Sequence, residues 1–305
     1  MYRSWLSRSR VEEQQHQPSQ PHGANSHSFS PTPPSWEPAP ERSHTLGLFN
    51  EASDEDWERA DEILPSSTID RIRMLGCGAW AIEYPTNPRF VGRIERGNWG
   101  ASSTENGTWK VCTVKRCKDT CLMSDLPLMA GLYDIHGKRG VYYEVRVNKM
   151  KGAVAIGTAC KPYPPWRMPG WNRLSAGLHL DDMRKFFEDP NGGRDYTPEV
   201  SRISSGDVVG CGYEFASNAL FFTHNGRRLP DAFRGVYAPR VDHDVYAAIG
   251  LDGTNEIEVN FGSSSFKWNE GNEMAWRVAS HVGYMIGSGP GQDERLPSYS
   301  EATFR

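Results

Sequence analysis

Apolar and polar positions alternate through the middle of the chain. In VYYEVRV (141–147), Val141, Tyr143, Val145 and Val147 fall on one face. In EIEVNF (256–261), Ile257, Val259 and Phe261 point one way and Glu256, Glu258 and Asn260 the other. A period of two is that of a strand with one dry and one wet face. TWKVCTV (108–114), AVAIGTA (153–159), SAGLHL (175–180), DVVGCGYEF (207–215), NALFFTH (218–224) and VYAAIGL (245–251) continue the series, separated by turn residues. No useful length of helical spacing intervenes, so a parallel α/β sheet is unfavoured. The pattern predicts an all-β antiparallel sandwich.

Two local signals sharpen it. Asn225-Gly226 lies between a β run and its return, and both residues tolerate the positive φ of a type I′ hairpin. Gly206-Asp207 turns the chain into the preceding strand, whose interior holds Gly210 and Gly212. Glycine weakens a strand, so these two predict the close approach of a neighbouring backbone or a large ring.

The ends have a different texture. Residues 1–45 are rich in Pro, Ser, Gln and His without periodicity, and are expected to be disordered. Within 46–65, SDEDWERADEIL predicts one short helix from Ser53 to Leu64, capped by Ser53, acidic in its first turn and closed by Pro65. The β-rich region is expected over 66–268, followed by a tail over 269–305.

Composition changes this picture little. The apolar fraction of 37% over 305 residues suits one core with unfolded flanks. A net charge of -4 with no basic block argues against nucleic-acid binding. Six cysteines in so long a chain do not make a disulfide framework. The opening MYRSWLSRSRVEE lacks a signal-peptide core and no run of about 18 apolar residues occurs, so direct membrane insertion is not expected and a cytoplasmic protein is.

Candidate chemistry is sparse. Cys112, Cys117 and Cys121 with His136 lack the tight paired spacing of a zinc site, and Cys112 falls inside an alternating strand; free thiols are the better account. His179, Asp181 and Asp182 end a strand, where Asp satisfies turn donors. No nucleophile-elbow, zincin or phosphate-loop pattern appears, so neither a catalytic centre nor a cofactor is expected. The loop KPYPPWRMPGW (161–171) stands out, with Tyr163, Trp166, Arg167 and Trp171 among four prolines. Aromatics and Arg dominate binding hot spots, and prolines hold them with little entropy loss. Tyr163, Trp166 and Arg167 are therefore candidates for partner contact, with Arg194 and Tyr196 on the same rim, while Trp171 is assigned to packing.

GWNRLSAGLHLDD, YTPEVSRISSGDVVGCGYEF, LFFTHNGRRLPDAF, VYAAIGLDG and EIEVNFGSSSFKW, in that order over 135–268, resemble a SPRY domain. The variant is similar to that of the Ran-binding-protein-M-like and fungal HECT-ligase-adaptor proteins. The resemblance implies a bent antiparallel sandwich whose loops bind a client protein or peptide, without catalysis. In the tail, Leu296, Pro297, Ser298 and Tyr299 resemble the PY motif read by the WW domains of HECT ubiquitin ligases. The implied partners are such a ligase and a client, and the implied address is cytoplasmic, peripheral on endosomal or vacuolar membranes through partners. The alternative implied by the Ran-binding-protein-M resemblance is a scaffold or substrate-recognition subunit of a RING-type ligase assembly.

Overall fold

The structure is a computed structural model and describes residues 53–63, 80–99, 107–130, 133, 135–238 and 240–277. The expected disordered region 1–45, Cys77, Leu64 and the Leu296–Tyr299 motif lie outside the described residues.

Among the described residues one helix, α1 (Asp54–Ile63), precedes the strands. Ser53 caps it, its Oγ accepting the Asp56 N–H at 3.2 Å, which satisfies a donor the helix start leaves open. Then follow β1 (Gly92–Arg96), β2 (Trp109–Thr113), β3 (Thr120–Met123), β4 (Gly140–Met150), β5 (Ala153–Cys160), β6 (Ser175–His179) and β7 (Arg184–Phe187). After these come β8 (Arg194–Asp195), β9 (Val208–Glu214), β10 (Ala219–His224), β11 (Arg227–Arg234), β12 (Val245–Asp252) and β13 (Asn255–Asn260). Seven strands form one sheet in the order β1-β2-β13-β4-β9-β10-β11, and six form the other in the order β3-β12-β5-β6-β7-β8. Neighbours pair antiparallel. Alternation located the long strands; β1, β3, β7 and β8 are too short to show a period.

The core lies between the sheets. Val145, Val209, Leu220 and Ile257 from one meet Val154, Ile156, Leu178 and Ile249 from the other, all essentially inaccessible to solvent. Tyr143 ties the layers across this core. Its hydroxyl donates to the Gly157 carbonyl at 2.6 Å and accepts the Gly157 N–H at 3.1 Å. The hairpin turn is of the expected kind, with φ of 50° at Asn225 and 85° at Gly226.

The expectation of one wet face per sheet is corrected. Glu258 and Asn260 are buried beside the apolar series of β13. The chain beyond β13 folds back over the outer face of the seven-stranded sheet. Phe266 and Trp268 pack on Tyr142, with ring centroids at 4.9 and 4.8 Å, and Trp276 packs on Phe221 at 5.6 Å. Asn260 shapes the turn into this cover, its Oδ1 accepting the Gly262 and Ser264 N–H groups. Gly210 and Gly212 lie under it, and large rings explain both. A Cβ at Gly212 would sit 2.3 Å from the Phe221 ring, and one at Gly210 would sit 2.0 Å from the Tyr142 hydroxyl. Because Trp276 is fully buried, the folded body continues past residue 268, where the tail was expected to begin. Among the described residues no helix is long and apolar enough to cross a membrane.

Buried Glu144 on β4 anchors the cover. Its carboxylate accepts the Lys267 N–H at 2.8 Å, the Trp268 N–H at 2.9 Å and the Tyr142 hydroxyl at 2.8 Å. An amide cannot accept at both positions, so Glu144→Gln leaves one of these donors unmet and is expected to cost about 1–3 kcal/mol. Chemical denaturation checks this, together with faster hydrogen exchange at Lys267 and Trp268. An unchanged midpoint at unchanged slope would remove Glu144 as the anchor.

Candidate partner-binding surface

The 161–171 loop leaves β5 and returns into β6, crossing the outer face of the six-stranded sheet as it does so. The outward positions of β5 are Ala153, Ala155, Gly157 and Ala159, opposite the inward Val154, Ile156 and Cys160. Small side chains keep this surface flat, and the loop lies directly on it. Met168 and Trp171 pack against Ala153 and Ala155, and Tyr163 against Ala159, Ala248 and Cys121. Gly250 shows how close the approach is, since a Cβ there would meet the Met168 Sδ at 2.3 Å.

Polar contacts then lock the loop. The Tyr163 hydroxyl donates to the Met168 carbonyl at 2.6 Å, and the Arg167 Nε–H donates to Asn172 Oδ1 at 2.6 Å. The Arg167 guanidinium lies 4.8 Å from the centre of the Trp171 ring. Tyr163 and Arg167 are buried, Arg167 to 1% exposure, so the expectation that they present to a partner is corrected: both hold the loop from within. Trp171 is buried as expected, on the outer face of the sheet. His179 completes this layer. Its ring lies 4.1 Å from Phe186 and 5.6 Å from Trp171, and its Nε2–H donates to the Pro169 carbonyl at 3.0 Å.

The remaining candidates separate. Trp166 stays half-buried near the β3 edge, where the Cys121 N–H donates to the Pro165 carbonyl at 2.9 Å. Arg194 is exposed on β8, at the opposite edge of the same sheet. Tyr196 turns inward, its ring 5.7 Å from Phe222 and its hydroxyl donating to the Pro230 carbonyl. Its burial corrects the expected shared rim, because a strand edge faces two ways and Tyr196 takes the core side. Burial and the neighbouring Asp182 push the Asp181 carboxyl up to about 7. Burial pushes the Cys121 thiol up to about 12, so it is held as an unreactive thiol.

Trp166 has neighbours that no motif announced. Its Nε1–H donates to the Asp56 carbonyl of α1 at 3.2 Å, and the Arg59 guanidinium covers its ring at 4.6 Å. The Asp56 carboxylate receives both ends of Arg89, at 2.6 and 2.8 Å. That guanidinium holds the Asp56 carboxyl below the usual carboxylate range. Arg89 is placed by Asn87, whose Oδ1 accepts the Arg89 N–H at 3.0 Å. The Asn87 Nδ2 group donates to the carbonyls of Asp119 and Pro165 at 3.0 and 2.9 Å. Segment 80–90, β3 and the proline loop thus share one side-chain hub.

The match to the SPRY domain model covers residues 140–264. Residues 140–264 are thus similar to a SPRY domain. Over 168 residues it is 33% identical to a SPRY domain-containing protein of Schizosaccharomyces pombe, covering 54% of this chain and 40% of that one. It is 30% identical over 168 residues to the protein Ssh4 of Sclerotinia sclerotiorum, covering 54% and 29% respectively. With a Ran-binding proteins 9/10 homolog of Drosophila melanogaster it shares 33% identity over 163 residues, covering 52% of this chain and 16% of that one. The matches thus span less than half of each of these relatives. A SPRY domain is a protein-interaction module and generally non-catalytic. The SPRY match begins at β4, so α1, Arg89 and the strands β1 to β3 stand outside it.

Burial holds the His179 imidazole at about 4, against about 6.5 for an unfolded chain. The unfolded state therefore takes up the proton first. The contribution is intact above about pH 6.5 and is lost as pH falls towards about 4, by up to about 1.4 kcal/mol per unit. His179→Gln keeps a donor for the Pro169 carbonyl and removes the titration. Denaturation midpoints from about pH 7 down to about pH 4.5 should fall more steeply for the wild type than for the variant. Parallel slopes would exclude His179 as the source.

Proposed function

We propose that this chain is a non-catalytic adaptor: its SPRY domain binds a client protein, and Leu296–Tyr299 recruit a WW-domain HECT ubiquitin ligase for sorting or degradation of that client. The observation that carries this reading is the Leu-Pro-Ser-Tyr sequence in the same chain as a SPRY domain, behind the Gly-, Pro- and charge-rich GSGPGQDE. Leu-Pro favours a polyproline II turn, which docks with little loss of entropy. Tyr299 supplies a ring for a second pocket, with a hydroxyl that can still find a partner. Binding both proteins raises the effective concentration of client lysines at the ligase without any chemistry in the adaptor itself. The similarity to Ssh4 proteins and the resemblance to fungal ligase adaptors support it. The proposed address is cytoplasmic, peripheral on endosomal or vacuolar membranes through partners.

A second reading is a scaffold or substrate-recognition subunit of a RING-type ligase assembly, favoured by the 33% identity to the Drosophila Ran-binding proteins 9/10 homolog.

The full chain and its Tyr299→Ala variant, titrated with a WW-domain array from a HECT ligase, test the adaptor reading. Loss of the aromatic anchor should weaken binding at least about tenfold. Equal affinities would sink ligase recruitment through this motif and leave the RING-type reading standing.

A further inference from the structure

The segment holding α1 in place is a small, polar and specific receptor, and α1 fills it sparingly. Of the α1 side chains that are described, only Asp56 and Ala60 are buried. They are four residues apart and so share one helix face. Trp57 remains 41% exposed. A ten-residue helix is marginal in water by itself. Its order therefore depends on contacts with the body, among them the two-pronged Arg89–Asp56 pair, the Trp166 indole on the Asp56 carbonyl, Arg59 over the Trp166 ring and the burial of Ala60.

The next residue in the loop, Arg167, belongs to the base of the loop and not to the site. It is buried, with its guanidinium against the Trp171 ring and its Nε–H on Asn172. A fork-shaped donor in Arg89 and an indole donor in Trp166 form a reader for one carboxylate and the main-chain carbonyl of the same residue.

We propose that Arg89 and Trp166 form a docking site for a short acidic helix of a partner protein, one offering an Asp with a small residue four positions later, and that α1 is its resident intramolecular occupant. The partner has the chemistry of α1 itself: a capped start, a carboxylate in the first turn and an Ala-sized residue one turn on. This deepens the client-binding reading of the body and is independent of the Leu296–Tyr299 motif. Sixteen residues, 64–79, join α1 to Trp80, so α1 competes from within the same chain. A partner must displace it, or α1 must be released first, before the site is read.

The probe is a peptide of residues 53–63, titrated into the full chain while the Trp166 indole resonance is followed by NMR. Asp56→Ala in the full chain removes the occupant's anchor and leaves the receptor intact. The peptide should bind this variant at least about tenfold more tightly than the wild type. Adding Arg89→Lys, which keeps the charge and loses the fork, should reverse most of that gain. A peptide with Ala in place of Asp56 should not bind. Circular dichroism and the thermal midpoint verify that each variant is folded. Equal binding to wild type and Asp56→Ala, or no binding to either, would overturn the proposal and leave α1 as a fixed part of the body. WW binding through Tyr299 is read on another segment and does not change with either outcome.

Discussion

Both sheets bury both of their faces at the centre, and the flatness of their outer surfaces makes this possible. On β5 every inward position is large or medium-sized and every outward one is Ala or Gly, so a loop can lie against the strand backbone itself. On the other sheet, Gly210 and Gly212 make the same allowance for Tyr142 and Phe221. Apolar area buried this way contributes roughly 25 cal/mol per Å². A methyl group added at Gly250 would lie 2.3 Å from the Met168 sulfur and 2.7 Å from the Pro169 Cδ, so the loop side chains would have to shift to admit it. The doubly covered sheet is more familiar in parallel α/β folds, where helices supply the second layer. Here irregular segments supply it.

Irregular segments carry backbone polar groups that need partners when they are buried. This accounts for the charged and polar residues found in the outer layers. Glu144 takes two main-chain donors of the 261–277 cover, His179 donates to one carbonyl of the 161–171 cover, and Asn87 donates to two carbonyls at its edge. In sequence these residues resemble site chemistry. In place, each neutralises a cost that burial creates, and the low pKa of His179 and the raised pKa of Glu144 both arise first from desolvation.

The covers also decide where a partner can dock. With the strand faces roofed over, the accessible surface is made by loops and sheet edges, which suits an interaction module whose specificity lies outside its framework. The proline loop is rigid from below, since Tyr163, Arg167 and Trp171 are buried, and it offers Trp166 upward. Its roof is α1, held in part by the charge-assisted pair between Arg89 and Asp56. A rigid base under a lightly held occupant separates the stability of the body from access to its surface.

Much of the body was legible from residues alone. Alternation placed β2, β4 and β13, a short β-rich run placed β12, Asn225-Gly226 specified the hairpin, and Ser53 marked the start of α1. The unusual composition of 161–171 drew attention to the right loop. These are local properties, set by backbone dihedrals and side-chain period within a few residues. Tertiary structure decided which side of each strand was dry, because burial of Glu258, Asn260 and His179 depends on segments that return from elsewhere in the chain. It also turned Tyr163, Arg167 and Tyr196 inward and brought Asp56, Arg89 and Trp166 together across as many as 110 sequence positions. Alternation reports that a strand has two faces; what covers the second face depends on contacts between distant segments, which no local period encodes.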